Sequence, residues 1–376
     1  MNEDTLPAHA VDLVVVGAGV VGLAHAAEAR RRGLSVVVVE RDEFAVGASV
    51  RNFGHICITP QAGRALDYAL AGRARWIALA AAAGFDLRES GTVVAARSAA
   101  ELHVLEEFAA GRDSEQVRLL TAAEVTRRAS VADPGLLGGA LLPLDLRTDP
   151  RAAAPALATY LSSQDVPVWW RTSVIAVEPG RVHTSRGPIS CAKAVVAVGH
   201  DVDRLFPDVA DSIGLRRCRL QMLQVSAPGR RAIDPAVLTG TSLLRYNGFA
   251  ELPAADAVRA ELAATAPELL TAAVNLMFTQ RPDGDLVIGD THHYGLAHEP
   301  FDHEDLADLI LAESARLLGV PTLTVTRRWR GVYASSEVTD FLNHPLTDDI
   351  RIVSVTSGIG MTTCHGLAAA VLDSLL

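Results

Sequence analysis

A chain of 376 residues with 49% apolar side chains can bury a core large enough for two lobes. Its formal charge of −10 and pI near 5.6 disfavour nucleic acid or an anionic membrane surface as partner. No apolar run reaches membrane-spanning length uninterrupted, and the first ten residues, MNEDTLPAHA, lack the basic flank of a signal peptide, so a soluble cytoplasmic protein is expected.

Residues 11 to 40 read as strand, tight turn, helix, strand. VDLVVV is a continuous apolar run of the buried parallel type, a helix starts near Val20 and stops at Gly33, and LSVVVV is a second strand ending at Glu40. GASVRNFGHI, residues 47–56, follows with neither helical nor alternating spacing, and Gly47 and Gly54 leave its backbone free to press against another surface. A longer helix is predicted from TP, with Thr59 as cap and Pro60 in the first helical position, running to about Gly84. Next come a strand in GTVVAA, two helices opened by the capping patterns SAAE and TAAE, and a helix in TDPRAAAPALATYL that carries Pro155 far inside it. Short strands fill 167–199 and close on AVVAVG, and RLQMLQV, NLMFTQ, DLVIGD and TLTVTRRWR make a second strand-rich region. The tail repeats the opening order, with IRIVSVTS a strand, GIGM a tight loop and TTCHGLAAAVLDSLL a helix. This alternation predicts an α/β lobe assembled from separated pieces, with a second lobe inserted between them.

Cys57, Cys191, Cys218 and Cys364 show no paired spacing for zinc or redox chemistry and read as isolated buried thiols. Lys193 is the only lysine among 34 basic residues, which leaves anion recognition to arginine.

The chemistry starts at VVVGAGVVG. Gly17, Gly19 and Gly22 have G-x-G-x-x-G spacing between a strand and a helix: the first allows the turn, the second lets a pyrophosphate approach the backbone, and the third lets helix pack on strand. The helix N-terminus offers unpaired N–H groups to the anion. Glu40 stands 18 residues beyond Gly22, placed to accept hydrogen bonds from ribose hydroxyls, and an acid there disfavours a 2′-phosphate.

Taken end to end, the chain resembles the FAD-dependent D-amino acid oxidase superfamily, which includes glycine oxidase and sarcosine oxidase. DLVVVGAGVVGLAHAAEARRRGLSVVVVER is similar to its FAD fingerprint, GASVRNFGHI to the segment laid along pyrophosphate and flavin, RTSVIAVE to the strand whose Val174 position touches adenine, AVVAVGHD to the strand returning to the cofactor at Gly199, RPDGDLVIGDT to a hairpin of the substrate domain, and SGIGMTTCHGLAA to the flavin-end loop and helix. The resemblance implies a Rossmann-like FAD-binding domain of the glutathione-reductase type from 1–80, 145–212 and 336–376, with an inserted sheet-rich α+β substrate domain from 81–144 and 213–335. It implies FAD contacts at Gly17, Ala18, Gly19, Val20, Val21, Gly22, Glu40, Arg41, Ala48, Ser49, Asn52, Phe53, Gly54, His55, Val174, Gly199, Gly358, Ile359, Gly360, Met361 and Thr362. Reduction places negative charge on the pyrimidine end of a flavin, toward which the 358–363 loop and the following helix aim N–H groups and a positive dipole end. The cysteine that covalent attachment needs in sarcosine oxidase relatives has no counterpart in RGVYASSEVTDFL, so FAD is expected to be non-covalent.

The implied reaction is oxidation of a C–N bond in a small amine, with hydride transfer to flavin N5, hydrolysis of the imine, and reoxidation by molecular oxygen or another acceptor. Amino-acid members that read G-L-R-P hold the substrate carboxylate with its arginine, but this chain reads RGVYA, with Val332 and Tyr333 there. A closer likeness, carried by GASVRNFG and GMT, is to a branch associated with phosphonate degradation, which implies an aminoalkylphosphonate or its N-methyl derivative. Three phosphonate oxygens suit scattered donors, for which Arg51, His55, Tyr333, Arg330 and His293 are the candidates. Adjacent strand residues point to opposite faces, so at most one of His292 and His293 enters the site, and Gln221 is a weaker candidate. An FAD-dependent hydroxy-acid or amino-acid dehydrogenase and a flavin monooxygenase, faintly suggested by VIGDTHH, are the competing readings.

Overall fold

The computed structural model describes residues 10–376; residues 1–9, which hold most of the polar N-terminal stretch, lie outside that description. The apolar run Val11–Val16 is a strand with parallel partners on both sides, Val36–Val39 and Gly187–Val196. All four valines of Val36–Val39 are buried, as expected of a strand covered on both faces, and no alternation survives in such a sequence. Ile350–Val355 extends the sheet in parallel beyond Gly187–Val196, and Phe341–Thr347 pairs with it antiparallel. Val168–Trp169 adds the opposite edge, and Val174–Glu178 with Arg181–Thr184 forms a ribbon on Gly187–Val196. The helices Val20–Arg31, Gly63–Ala83 and Gly360–Leu375 pack against one another beside this sheet.

A second eight-stranded sheet runs in the spatial order 325–335, 216–225, 286–295, 277–280, 236–238, 92–96, 138–142, 118–121. Its pairs are antiparallel except where Ala236–Leu238 lies beside Thr92–Ala96. A small sheet of His55–Ile56, Leu146–Thr148 and Leu87–Arg88 holds the end of the GASVRNFGHI segment. The architecture is therefore α/β, a parallel dinucleotide-type sheet beside a strand-rich α+β part, as the sequence implies. Among the described residues no helix is long and apolar enough to cross a membrane.

Two helix starts differ from expectation. The helix predicted from Thr59 begins at Gly63. The backbone N–H groups of Ile58 and Thr59 donate instead to Asp145 Oδ1 at 3.0 and 2.8 Å, and Gly248 donates to the Pro60 carbonyl, so this stretch is held as a turn by long-range partners. The final helix begins at Gly360 and includes part of the predicted GIGM loop. Pro155 does lie inside the helix Pro150–Ser163, where its exposed position tolerates the missing N–H.

Two buried histidines on these helices make a pH prediction. His25 Nε2 and His365 Nε2 lack hydrogen-bond partners, and burial pushes the two imidazoles down to about 4 and about 3. Below pH 6.5 the unfolded chain binds protons that the folded one refuses, so stability falls as pH falls, by about 2 kcal/mol per histidine at pH 5. Chemical denaturation at pH 7 and pH 5 with excess FAD should show the midpoint dropping, and His25→Gln should shrink that drop; a midpoint equal at both pH values contradicts it.

Candidate active site

One continuous cavity is walled by both sheets, from the end of Val36–Val39 to the start of the helix Gly360–Leu375. At its first end Gly17, with φ of +104°, makes the turn that glycine favours. A Cβ on Gly22 would sit 1.9 Å from the Gly17 carbonyl oxygen, so only glycine lets the helix Val20–Arg31 start here. The Val20 N–H donates to Ser49 Oγ at 2.8 Å, which fixes the GASVRNFGHI segment to the helix N-terminus. Glu40 Oε2 accepts from the Ala18 N–H at 2.8 Å and Oε1 from the Asp42 N–H at 3.0 Å, so the carboxylate is held at the cavity edge. Arg41 pairs with Asp201.

Of the expected cofactor contacts, Gly17, Gly19, Val20, Val21, Glu40, Arg41, Ala48, Ser49, Asn52, Phe53, His55, Val174, Gly199, Gly358, Ile359, Gly360, Met361 and Thr362 line the cavity. Ala18, Gly22 and Gly54 stand behind its wall: Ala18 holds Glu40, Gly22 seats the helix, and Gly54 is bonded to Thr148 of the small sheet. Asn52 reaches back to the carbonyls of Ala48 and Ser49 and accepts from the Gly54 N–H, so its side chain sets the loop. His55 lines the cavity with its Nε2 2.6 Å from Thr92 Oγ1 and 3.5 Å from Asp145 Oδ2.

The substrate candidates divide. Arg51 and Tyr333 line the cavity. Arg330 does not: its guanidinium turns outward to Asp302 Oδ1 at 2.6 Å and the Glu299 carbonyl, because it alternates with the inward Gly331 along the strand Val325–Ser335. His293 is exposed and stacks edge-on to His298, whereas its neighbour His292 is buried and lines the cavity, so the histidine candidate moves by one residue. Gln221 donates to the His303 carbonyl and serves packing.

Sequence reasoning missed Arg245. It lies in the cavity wall, and its hydrogen bonds go to Tyr333 Oη at 3.2 Å, the Ser357 carbonyl at 2.8 Å and His292 Nε2 at 3.4 Å, none of them a carboxylate. Burial pushes His292 down to about 3, and its Nδ1 faces the Ala273 carbonyl at 2.9 Å; the neutral ring therefore donates from Nδ1 and accepts at Nε2. Burial also raises the Tyr333 phenol well above its ordinary range, so it keeps its proton as a donor. Arg245 and Tyr333 both lie against Gly358, at the start of the final loop and helix. Asp290, also missed, lines the same wall, and its Oδ1 has no hydrogen-bond partner. The available signal was faint: an arginine inside the apolar SLLRY and an acid closing the buried strand run DLVIGD.

A glycine turn, a helix N-terminus and an edge carboxylate at one end, with a second helix N-terminus at the other, fit a flavin dinucleotide: N–H groups are there for an anion, Glu40 for a ribose, and the 358–362 loop for a ring.

A family model described as FAD dependent oxidoreductase matches residues 12–374. An opine oxidase chain of Rhizobium meliloti is 25% identical over 300 residues, covering 71% of this chain and 79% of that one. Glycine oxidase from Geobacillus kaustophilus superposes with a TM-score of 0.77 at 21% identity over 98% of this chain and 94% of its own. L-alpha-glycerophosphate oxidase from Mycoplasma pneumoniae, with FAD bound, does so with a TM-score of 0.76 at 19% identity, over 98% and 95%.

Proposed function

The chain belongs to the FAD-dependent oxidoreductase family, and from that premise we propose that it oxidises a small amine carrying an acid group, breaking a C–H bond beside nitrogen to give an imine that hydrolyses. Bound FAD supplies the two-electron acceptor. The observation that carries the reading is Arg245, a cation in the cavity wall whose hydrogen bonds go to no carboxylate and whose one acidic neighbour, Asp290, is raised to about 7 by burial. A buried unpaired charge is costly, and an anionic substrate group is the partner such a site selects. Asp290 in the same wall adds a carboxylate, so a zwitterion is matched at both ends. Opine oxidase and glycine oxidase, by their names, act on molecules of this class.

The finer substrate is an aminoalkylphosphonate or its N-methyl derivative. Arg245, Tyr333 and Arg51 approach the cavity from three segments, which suits three tetrahedral oxygens better than one planar carboxylate. The division into a cofactor part, 1–80, 145–212 and 336–376, and a substrate part from the remainder is supported, for the described residues, by the strands of the parallel sheet all falling in the first set. Reoxidation is by oxygen or another acceptor.

The test is anaerobic bleaching of the flavin by matched pairs: glycine against aminomethylphosphonate, β-alanine against 2-aminoethylphosphonate, sarcosine against its phosphonate, and the corresponding alcohols. The phosphonate of each amine pair should reduce the flavin about tenfold or more faster, as expected of at least one added charge-assisted contact. Equal rates within pairs sink the phosphonate assignment; reduction by alcohols alone sinks the amine reading.

A further inference from the structure

We propose that Asp290 is the proton acceptor of this site, taking the ammonium proton of the bound substrate so that the nitrogen lone pair is free when the C–H bond breaks. The inference rests on the amine reading above.

Asp290 lies on the buried strand Leu286–Gly295, is 3% exposed, and faces the cavity with Oδ1 lacking any hydrogen-bond partner. Its backbone is locked by an exchange with Asn275, whose N–H donates to the Asp290 carbonyl at 2.9 Å while the Asp290 N–H donates to the Asn275 carbonyl at 3.0 Å. The carboxyl is met only by its own N–H and the Asn275 side chain, whereas a purely structural carboxylate buried here would be expected to hold a salt bridge as well. The titratable groups around it are Arg245 and Tyr246 from one segment, Cys218 from the neighbouring strand and His292 from its own. Burial keeps Tyr246 and Cys218 protonated and His292 unprotonated near neutrality, leaving Arg245 as the one charge that faces Asp290. Burial raises the Asp290 carboxyl to about 7, against the pull of Arg245.

That placement matches the chemistry required. An ammonium nitrogen has no lone pair and cannot form C=N. In the first step the N–H bond breaks, its proton bonds to an Asp290 oxygen, and its electron pair stays on nitrogen. In the second, the α-hydrogen leaves carbon with the C–H electron pair, the nitrogen lone pair closes the C=N bond, and the substrate is oxidised by two electrons as the flavin is reduced by two. Proton transfer from ammonium to carboxylate converts two buried charges into two neutral groups, so the closed site favours a step that water opposes.

Reduction should therefore require ionised Asp290: in wild-type holoenzyme the anaerobic rate at low substrate rises tenfold per pH unit up to about pH 7 and then levels. Asp290→Asn, which keeps shape, should lose this limb and slow reduction by about a hundredfold or more while retaining FAD. Asp290→Glu should restore part of the rate with a shifted midpoint. A readout independent of turnover is the affinity for ethylphosphonate, an anion without ammonium, followed by perturbation of the flavin spectrum. It should weaken in wild type as pH rises through about 7, when Asp290 becomes an anion beside Arg245, and the Asn variant should lack that weakening. If the Asn variant is reduced by amines at the wild-type rate with the wild-type profile, or if ethylphosphonate affinity shows no difference between the two proteins, Asp290 is not the acceptor and the amine reading stands. If no amine reduces the wild-type flavin, the amine reading falls and this inference with it.

Discussion

Arg245→Met holoenzyme should retain its yellow colour and lose most of its ability to be reduced by substrate. The side chain meets Tyr333, His292 and the Ser357 carbonyl, contacts that orient it without neutralising it. Methionine keeps the apolar stem and removes the charge. Truncating one partner of a desolvated charge contact costs about 2–4 kcal/mol, or about 30- to 1,000-fold in kcat/KM. Arg245→Lys should recover only part, because a point charge lacks the planar fork. Stopped-flow reduction under nitrogen, with FAD content measured on the same samples, separates the outcomes. Unchanged reduction in the Met variant would falsify the anion-receptor role; loss of FAD would assign Arg245 to the cofactor instead.

Gly22→Ala should have the opposite signature, with cofactor lost before chemistry is tested. The added methyl meets the Gly17 carbonyl oxygen at 1.9 Å, a backbone atom, with no flexible side chain to move aside. Relief requires the helix Val20–Arg31 to lift from the strand Val11–Val16, which carries its N-terminus away from the anion site and breaks the Val20 to Ser49 contact. Overpacking of this kind typically costs about 1–3 kcal/mol in a core that can relax, and more where backbone must shift. FAD occupancy after gel filtration should fall at least tenfold, and the melting transition should broaden or drop. A variant that keeps full FAD and wild-type melting contradicts this account.

These two residues show where the sequence was legible. Gly22 was readable because its constraint is local: three glycines at fixed spacing between a strand and a helix leave one physical solution, and the continuous valine runs mark strands covered on both faces. Arg245 was not, because its role depends on partners 47, 88 and 112 positions away that only the folded chain brings together. The misplaced helix start has the same cause: Thr59 and Pro60 carry good local capping chemistry, but Asp145, 86 residues on, takes the Thr59 N–H. Choosing His293 over His292 was a register question. Alternation says that one of two neighbours faces inward, and only the pairing of Leu220 with His292 and Arg219 with His293 fixes which.

The parallel sheet places Ala194 between Val14 on one side and Ile350 on the other. During translation Val11–Val16 thus leaves the ribosome long before its neighbour Gly187–Val196 is complete, and that strand waits nearly as long again for Ile350–Val355. Ile350–Val355 and Gly360–Leu375 are the last of the described elements to be made, so the cavity they help to wall cannot close while the nascent chain is still short of them. Until then several valine-rich strands stand with open edges, and a complete cavity has to wait for the helix Gly360–Leu375.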